Sequence, residues 1–324
     1  MSSEINQTIP RATGLLVIEV RNSNPNGDPD KESDPRQRSH DQRGFISGVS
    51  FKRKLRDLVE WKSAPVWQKL SKDLGLTEEN FCILESRDRG FKDVKDATEA
   101  WQKVLQLIAK EPEGKAVNNK YWDARLFGAT FLESGEEAPA GGKRGKGNDR
   151  KHIRTGVAHF PIGLSICPIR IQRDTRTKKA SAQEEKDRGM APLGYRIVEH
   201  GVYSMPFFIN PTAAHETGCT TQDVDLMLRL IRYAYPHTRS DIRPFVEVRH
   251  AWYAEHTDSL GSFSEFRFID TMTPKRKQNP EQPSSDKLPF EDQYDVPKTQ
   301  PEGLRMKNFR DLTESLPDWC SKTS

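Results

Sequence analysis

The stretch GLLVIEVR (residues 14–21) runs almost directly into NPNGDPD (residues 24–30), and this junction decides the fold. Residues 13–21 alternate in the manner of a strand. The seven positions 24–30 hold two prolines, one glycine and four side-chain amides or carboxylates. No helix or strand interior tolerates that mix, whereas Asn, Pro, Gly and Asp each favour turns. The polar loop continues as NSNPNGDPDKESDPRQRSHDQRGF (22–45), and unstructured loops of such length usually carry function or are disordered. Beyond it, SGVSFKRKLRDLVEWK (47–62) places Phe51, Leu55, Leu58 and Val59 at helical spacing. Lys52, Arg53 and Arg56 fall off that stripe, which predicts an amphipathic helix with one apolar face and one basic edge.

Working outward, residues 63–122 read as mostly helical, with Thr77 as a cap before Glu78-Glu79 and the run DATEAWQKVLQLIAK (96–110). DARLFGATFLE (123–133) reads as a strand carrying a glycine. Residues 134–151 are Gly-rich and basic, the composition of a mobile loop. TGVAHFPIGLSICPIRIQ (155–172) and YRIVEHGVYSMPFFIN (195–210) are strand-like, and the polar stretch 173–194 between them reads as a long hairpin arm. TTQDVDLMLRLIRYAYP (220–236) is a helix with the stripe Val224, Met227, Leu228 and Ile231. RPFVEVRHAWYAEH (243–256) and FSEFRFIDTMT (263–273) read as strands, 274–303 as a Pro-rich linker or tail, and LRMKNFRDLTESL (304–316) as a closing helix. With the insertions removed the order is βαββαβ, an α+β chain of the split ferredoxin-like or RRM-like plan.

The chain has 324 residues, 34% hydrophobic and 30% charged, with a formal net charge of only +4. A core is available, and the arrangement of charge matters more than its sum. No run of eighteen apolar residues offers a membrane span, and the first residues lack the apolar segment of a secretory signal, so a cytoplasmic protein is expected. Cys82, Cys167, Cys219 and Cys320 are far apart with no CxxC pair, which argues for unpaired thiols over a zinc site or disulfides. No cofactor and no metal are expected.

The alternating acids Asp28, Asp30, Glu32 and Asp34 suggest a calcium loop, but Ser33 and Ser39 stand where an EF-hand requires Gly and Glu. A turn of this composition can instead form a nest of backbone N–H groups around Asn26-Gly27, where a phosphate could approach. Between Arg36 and Arg56 lie seven Lys or Arg and one acid, Asp41, a basic strip suited to a polyanion. Lys143–Arg154 holds six basic residues, Arg150, Lys151 and Arg154 among them, and Arg170–Lys179 holds five. Three such segments in a balanced chain point to a groove. GGKRGKGN lacks the spacing and the hydroxyl residue of a phosphate-binding P-loop. The pairs His250/His256 and His152/His159 lack the helical spacing of a zinc site. Met190 and Leu193, near the return of the arm, could wedge between stacked bases or pack the arm onto the body.

These residues converge on a family. NPNGDPD with Pro35-Arg36, Gly44 and ISGVSFKRKLRDLV resembles the start of the CRISPR-associated Cascade backbone subunit of the RAMP superfamily, as found in type I-C and I-B systems. YWDARLFGATF, RTGVAHFPIGLSICPIRI and VEHGVYSMPFFINP resemble three further motifs of that family in the same order, although Cys167 stands where an acidic residue is expected. The resemblance implies an RRM-like (ferredoxin-like) palm with a helical fingers insertion and a thumb β-hairpin. Its palm would take residues 1–62, 123–171 and 199–273, its fingers 63–122 and its thumb 172–198, followed by a Pro-rich tail and C-terminal helix in 274–324.

It further implies a non-catalytic subunit that binds CRISPR RNA by its phosphates, lines up in several copies as a helical filament, and presents the spacer to target DNA. Partners would be the CRISPR RNA, other copies of itself, the 5′-end cap or processing subunit, and the large and small Cascade subunits, with no membrane. Asn24, Asn26, Gly27, Arg36, Lys52, Arg53, Arg56, Arg150, Lys151 and Arg154 are the expected RNA contacts. The alternatives are a metal-dependent endoribonuclease using Asp28 or Asp30, as in related RNA-targeting complexes, and a general single-stranded RNA-binding protein.

Overall fold

The computed structural model describes residues 8–86, 119–132, 151–179 and 190–314. The chain divides into two compact units, one comprising Met1–Pro10, Val59–His159 and Ile209–Met227, the other Arg11–Leu58, Phe160–Phe208 and Leu228–Ser324. Among the described residues the strands are, in order, β1 (Ala12–Ser23), β2 (Gly27–Asp28), β3 (Asp34–Pro35), β4 (Arg43–Ile46), β5 (Gly128–Leu132), β6 (Lys151–Thr155) and β7 (Ala158–His159). They continue with β8 (Gly163–Pro168), β9 (Ile171–Lys179), β10 (Met190–Ile209), β11 (Phe245–His256), β12 (Lys275–Arg276), β13 (Tyr294–Asp295) and β14 (Met306–Asp311). The principal helices are α1 (Gly48–Glu60), α2 (Pro65–Leu74), and those at Trp122–Phe127, Thr221–Leu230 and Glu265–Met272. Among the described residues no helix is long and apolar enough to cross a membrane.

The second unit is built on a large antiparallel sheet with strand order β14-β11-β1-β10-β8-β4. β11 runs antiparallel to β1 and to β14, and β8 antiparallel to β10 and to β4. Counting only β1, β8, β10 and β11, the spatial order is fourth, first, third, second, with α1 following the first strand and Thr221–Leu230 preceding the fourth.

β1 differs from the alternation expected of it, because its first nine residues are all buried. A strand at the centre of a sheet with both faces covered shows that continuous burial. Gly14 fixes which layer lies on which face. A Cβ there would lie 2.1 Å from the Phe207 ring, so the aromatic occupies the space that a side chain would take. Phe207 stacks on Phe160 at 5.5 Å, and Phe160 meets Phe51 of α1 at 5.2 Å, which puts α1 on the Gly14 face. Leu15 and Val17 point the other way. They join Val202, Trp252 and Ala254 under Phe268 and Met272, with Phe290, Tyr294 and Leu304 in the same core.

Three expectations are corrected by this packing. Residues 274–303, expected to be a linker or tail, carry β12, β13 and the short helix Phe290–Gln293, and they bury Phe290, Tyr294 and Gln293. FSEFRFIDTMT is a helix, not a strand. Ser264 caps it by accepting from Arg267 N, and Phe268 and Met272 share its buried face. The expected closing helix at 304–316 is instead the edge strand β14 over Met306–Asp311.

In the first unit, the expected strand at 123–133 is split into the helix Trp122–Phe127 and β5, which pairs with β6. All six helical residues are buried, so no amphipathic period was available to announce the helix. Asp123 receives the backbone N–H groups of Leu84 (2.7 Å) and Glu85 (3.1 Å). Arg125 forks onto Asp223 at 3.0 and 2.7 Å, and Asp223 also accepts from Thr220 N. α2 follows Lys62, whose ammonium lies 3.3 Å from the centre of the Trp67 ring and donates to Phe81 O, while burial brings its pKa down to about 8. The helical run expected at 96–110, most of the Gly-rich loop at 134–151 and the arm tip at 180–189 lie outside the described residues.

Removing one partner of a buried bidentate pair strands a charge. Asp223→Ala is therefore expected to destabilise the protein by about 3–5 kcal/mol, read from urea denaturation. A loss under about 1 kcal/mol would show that Arg125 finds another acceptor.

Candidate nucleic-acid interface

The loop after β1 is bound down at both ends. Ser23 Oγ accepts from Phe245 N at 2.9 Å, and Asn24 N donates to Ile242 O at 2.7 Å. The Asn24 amide donates to Ser33 O (2.8 Å) and Arg196 O (3.1 Å), and its backbone carbonyl accepts from Arg243 Nε. Asn26 Oδ1 accepts from Ser47 N at 2.8 Å, one residue before α1, and Ser47 Oγ accepts from Ser50 N, an N-cap. Loop and helix are thus positioned together.

Gly27 pairs with Pro35 in the two-residue β2–β3 ladder. The expected nest at Asn26-Gly27 does not form, because Gly27 is not left-handed and the Asn26 side chain is committed to Ser47. Gly27 instead permits a close approach, since a Cβ there would sit 3.1 Å from Ser33 O. The left-handed pair lies further on, at Glu32 (φ 47°) and Ser33 (φ 65°).

The acids of the loop face arginines of the β9–β10 hairpin. Asp34 accepts from Arg173 Nη2 at 2.7 Å and Nε at 3.1 Å, and from Arg196 Nη1 at 2.9 Å. Arg196 Nη2 also pairs with Glu32. The hydrogen bonds from Arg173, joined by those from Arg196, hold the Asp34 carboxyl below its ordinary pKa against the smaller effect of burial. The first and third basic segments therefore adjoin. The contacts Gln37 Nε2 to Ile169 O and Ile169 N to Gln42 O, both 2.9 Å, continue the seam. Lys151 and Arg154 belong to β6 in the other unit, and Arg150 lies outside the described residues. Met190 and Leu193 stand in β10 opposite Lys179 and Arg176.

The expected contacts separate into two groups. Asn24 is buried at 2% exposure and acts as a staple. Arg56, expected on an exposed basic edge, is 3% exposed, and its neighbours Lys54 and Asp57 are buried too. α1 is enclosed beyond its apolar stripe, which periodicity alone does not reveal. Arg36, Lys52 and Arg53 are half-buried. Arg36 pairs with Asp28 at 3.6 Å and Arg53 with Asp57 at 2.8 Å. Asp28 also accepts from Asp30 N, the work of a turn former. Among the described residues no three His, Cys, Asp or Glu side chains converge as metal ligands.

A second polar site went unread in the sequence. Arg21, Arg239 and Arg249, with Glu19, Glu247 and the exposed Phe245, line a cavity of about 230 Å³. β11 skips a residue against β1 at Arg249, a bulge. Beneath lies Glu19. Burial pushes its carboxyl up, but hydrogen bonds from His200 and Arg21 outweigh this and hold its pKa down.

Asp34 sets a pH dependence. Its folded pKa lies below the ordinary 3.8, so its contribution to stability is present above 3.8 and is lost as pH falls through the lower folded value. Asp34→Asn is expected to lower the melting temperature at neutral pH and to converge on the wild type only once the pH has fallen below the lowered folded pKa of Asp34. An equal deficit at both pH values would show that the carboxylate charge is not what matters.

A search of curated proteins finds no match. The solved structures that align with this chain include two CRISPR surveillance complexes. One, described as "CRISPR RNA-guided surveillance complex, pre-nicking", aligns over 76% of this chain and 77% of that chain, at 16% identity and TM-score 0.43. The other, "CRISPR RNA-guided surveillance complex", aligns over 83% and 77%, at 13% identity and TM-score 0.42. The family model of the CRISPR-associated protein Cas7 matches residues 10–292, from just before β1 into the short helix Phe290–Gln293, and the chain belongs to that family.

Proposed function

We propose that this chain is the non-catalytic backbone subunit of a type I CRISPR surveillance complex, binding CRISPR RNA through its phosphates. The observation that carries this is the family match over residues 10–292. The strand order fourth, first, third, second is that of an RRM-like palm and supports the same reading. In this reading the β9–β10 hairpin is the thumb and the segment containing α2 belongs to the fingers. Arg36, Lys52 and Arg53 lie on the loop and helix that face the guide.

Phosphate contacts fix register and orientation without reading bases. A subunit that must carry any spacer needs that kind of contact, and base pairing with target DNA then supplies the sequence specificity. Several copies line up on one guide, beside the capping, large and small subunits, in the cytoplasm.

The test is co-expression with and without a CRISPR array, followed by size exclusion and a denaturing gel of bound nucleic acid. A large RNase-sensitive oligomer holding one discrete guide-length RNA is expected. A monomer free of nucleic acid in both preparations would overturn the reading.

A further inference from the structure

Arg173 and Arg196 stand directly opposite each other in the β9–β10 ladder. Like charges at paired positions repel, so the pair needs an anion beside it. Asp34 is that anion on the inner side, with its side chain 12% exposed and bonded to both guanidinium groups. Glu32 is the anion on the outer side, and its side chain is 80% exposed. Among the described residues Arg196 is its one side-chain partner. The turn that delivers it is held from both sides. Ser33 N donates to Asp28 O, and Ser33 O accepts the Asn24 amide. That grip maintains two consecutive non-glycine residues in the left-handed region.

The two carboxylates therefore differ in kind. Asp34 is built in, while Glu32 sits at the rim in an ion pair of the weak, exposed class. Two arginines and two acids sum to zero. When Glu32 leaves, a single positive charge remains, which one phosphodiester neutralises. Guanidinium groups take phosphate in the same forked geometry as carboxylate. Arg173, with a side chain 59% exposed, offers a second donor edge next to it.

We propose that Arg173 and Arg196 form a phosphodiester-binding site at the foot of the hairpin, and that Glu32 occupies it in the RNA-free chain as a stand-in for phosphate. The inference rests on the RNA-binding reading above. On binding, a backbone phosphate takes Arg196 Nη2 from Glu32, while Asp34 stays and keeps both arginines aligned. Glu32 thereby weakens binding to stray short RNA and is displaced where a continuous strand enforces the contact.

The test is fluorescence anisotropy of a labelled uridine homopolymer against wild type, Glu32→Gln, Arg196→Gln and the double variant, over a salt series. Glu32→Gln is expected to bind about two- to five-fold tighter, the range of an exposed ion pair. Arg196→Gln is expected to bind more weakly and to flatten the log–log salt slope by about 0.7. In the Arg196→Gln background the Glu32 effect is expected to vanish, because Glu32 acts through that arginine. Wild-type binding with no gain from Glu32→Gln, or a gain that persists without Arg196, overturns the proposal and leaves the RNA-binding reading intact. A wild type that binds no RNA at any salt removes both. Glu32 is exposed, so its substitution does not endanger folding.

Discussion

One carboxylate between two arginines joins two segments that lie far apart in the chain. Asp34 fastens the polar loop after β1 to the foot of the β9–β10 hairpin. The same loop is tied through Asn26 to the start of α1 and through Asn24 to Ile242. Strand, helix and hairpin thus share one short connector, and a shift in any of them is felt by the others. These ties anchor a segment rich in Pro, Asn and Asp at several points. It is a bracket made of turns, and its polar side chains are mostly spent on the protein's own backbone and arginines.

Much of the fold was legible because its signals are local. The stripe in α1, the helix at Thr221–Leu230 and the long strand β11 each follow from periodicity within a short window, and the strand before NPNGDPD from an apolar run that ends in turn residues. What escaped detection lacked a local period or carried a misleading one. Trp122–Phe127 is buried on every side, so no polar face marks it as a helix. In 263–273 the phenylalanines at 266 and 268 imitate strand alternation, and the cap at Ser264 was the overlooked signal. The Pro-rich stretch after residue 273 has few apolar residues, yet Phe290 and Tyr294 anchor it in the core.

The site was less legible, for a related reason. Charge type could be read from the sequence, but partnership could not. Arg173 and Asp34 lie 139 residues apart, and nothing near either one names the other. Arg56 and Lys52 look alike on a helical wheel, and only three-dimensional packing buries the first at 3% exposure. The strand ends in so stiff a loop because the hairpin foot sits against it.

The place of β1 in the sheet has a consequence for how the chain is made. Thr13 meets His256, 243 residues further along, and Leu15 and Val17 share a core with Phe290 and Leu304. At ribosomal rates of about 5–20 residues per second, β1, whose first nine residues are buried, waits on the order of ten seconds or more for its neighbour β11. During that interval at least one of its two edges is unpaired and apolar, of the kind that associates with other chains. The nascent protein therefore calls for shielding of β1 by a chaperone, or for a low concentration of nascent chains, before its sheet can close.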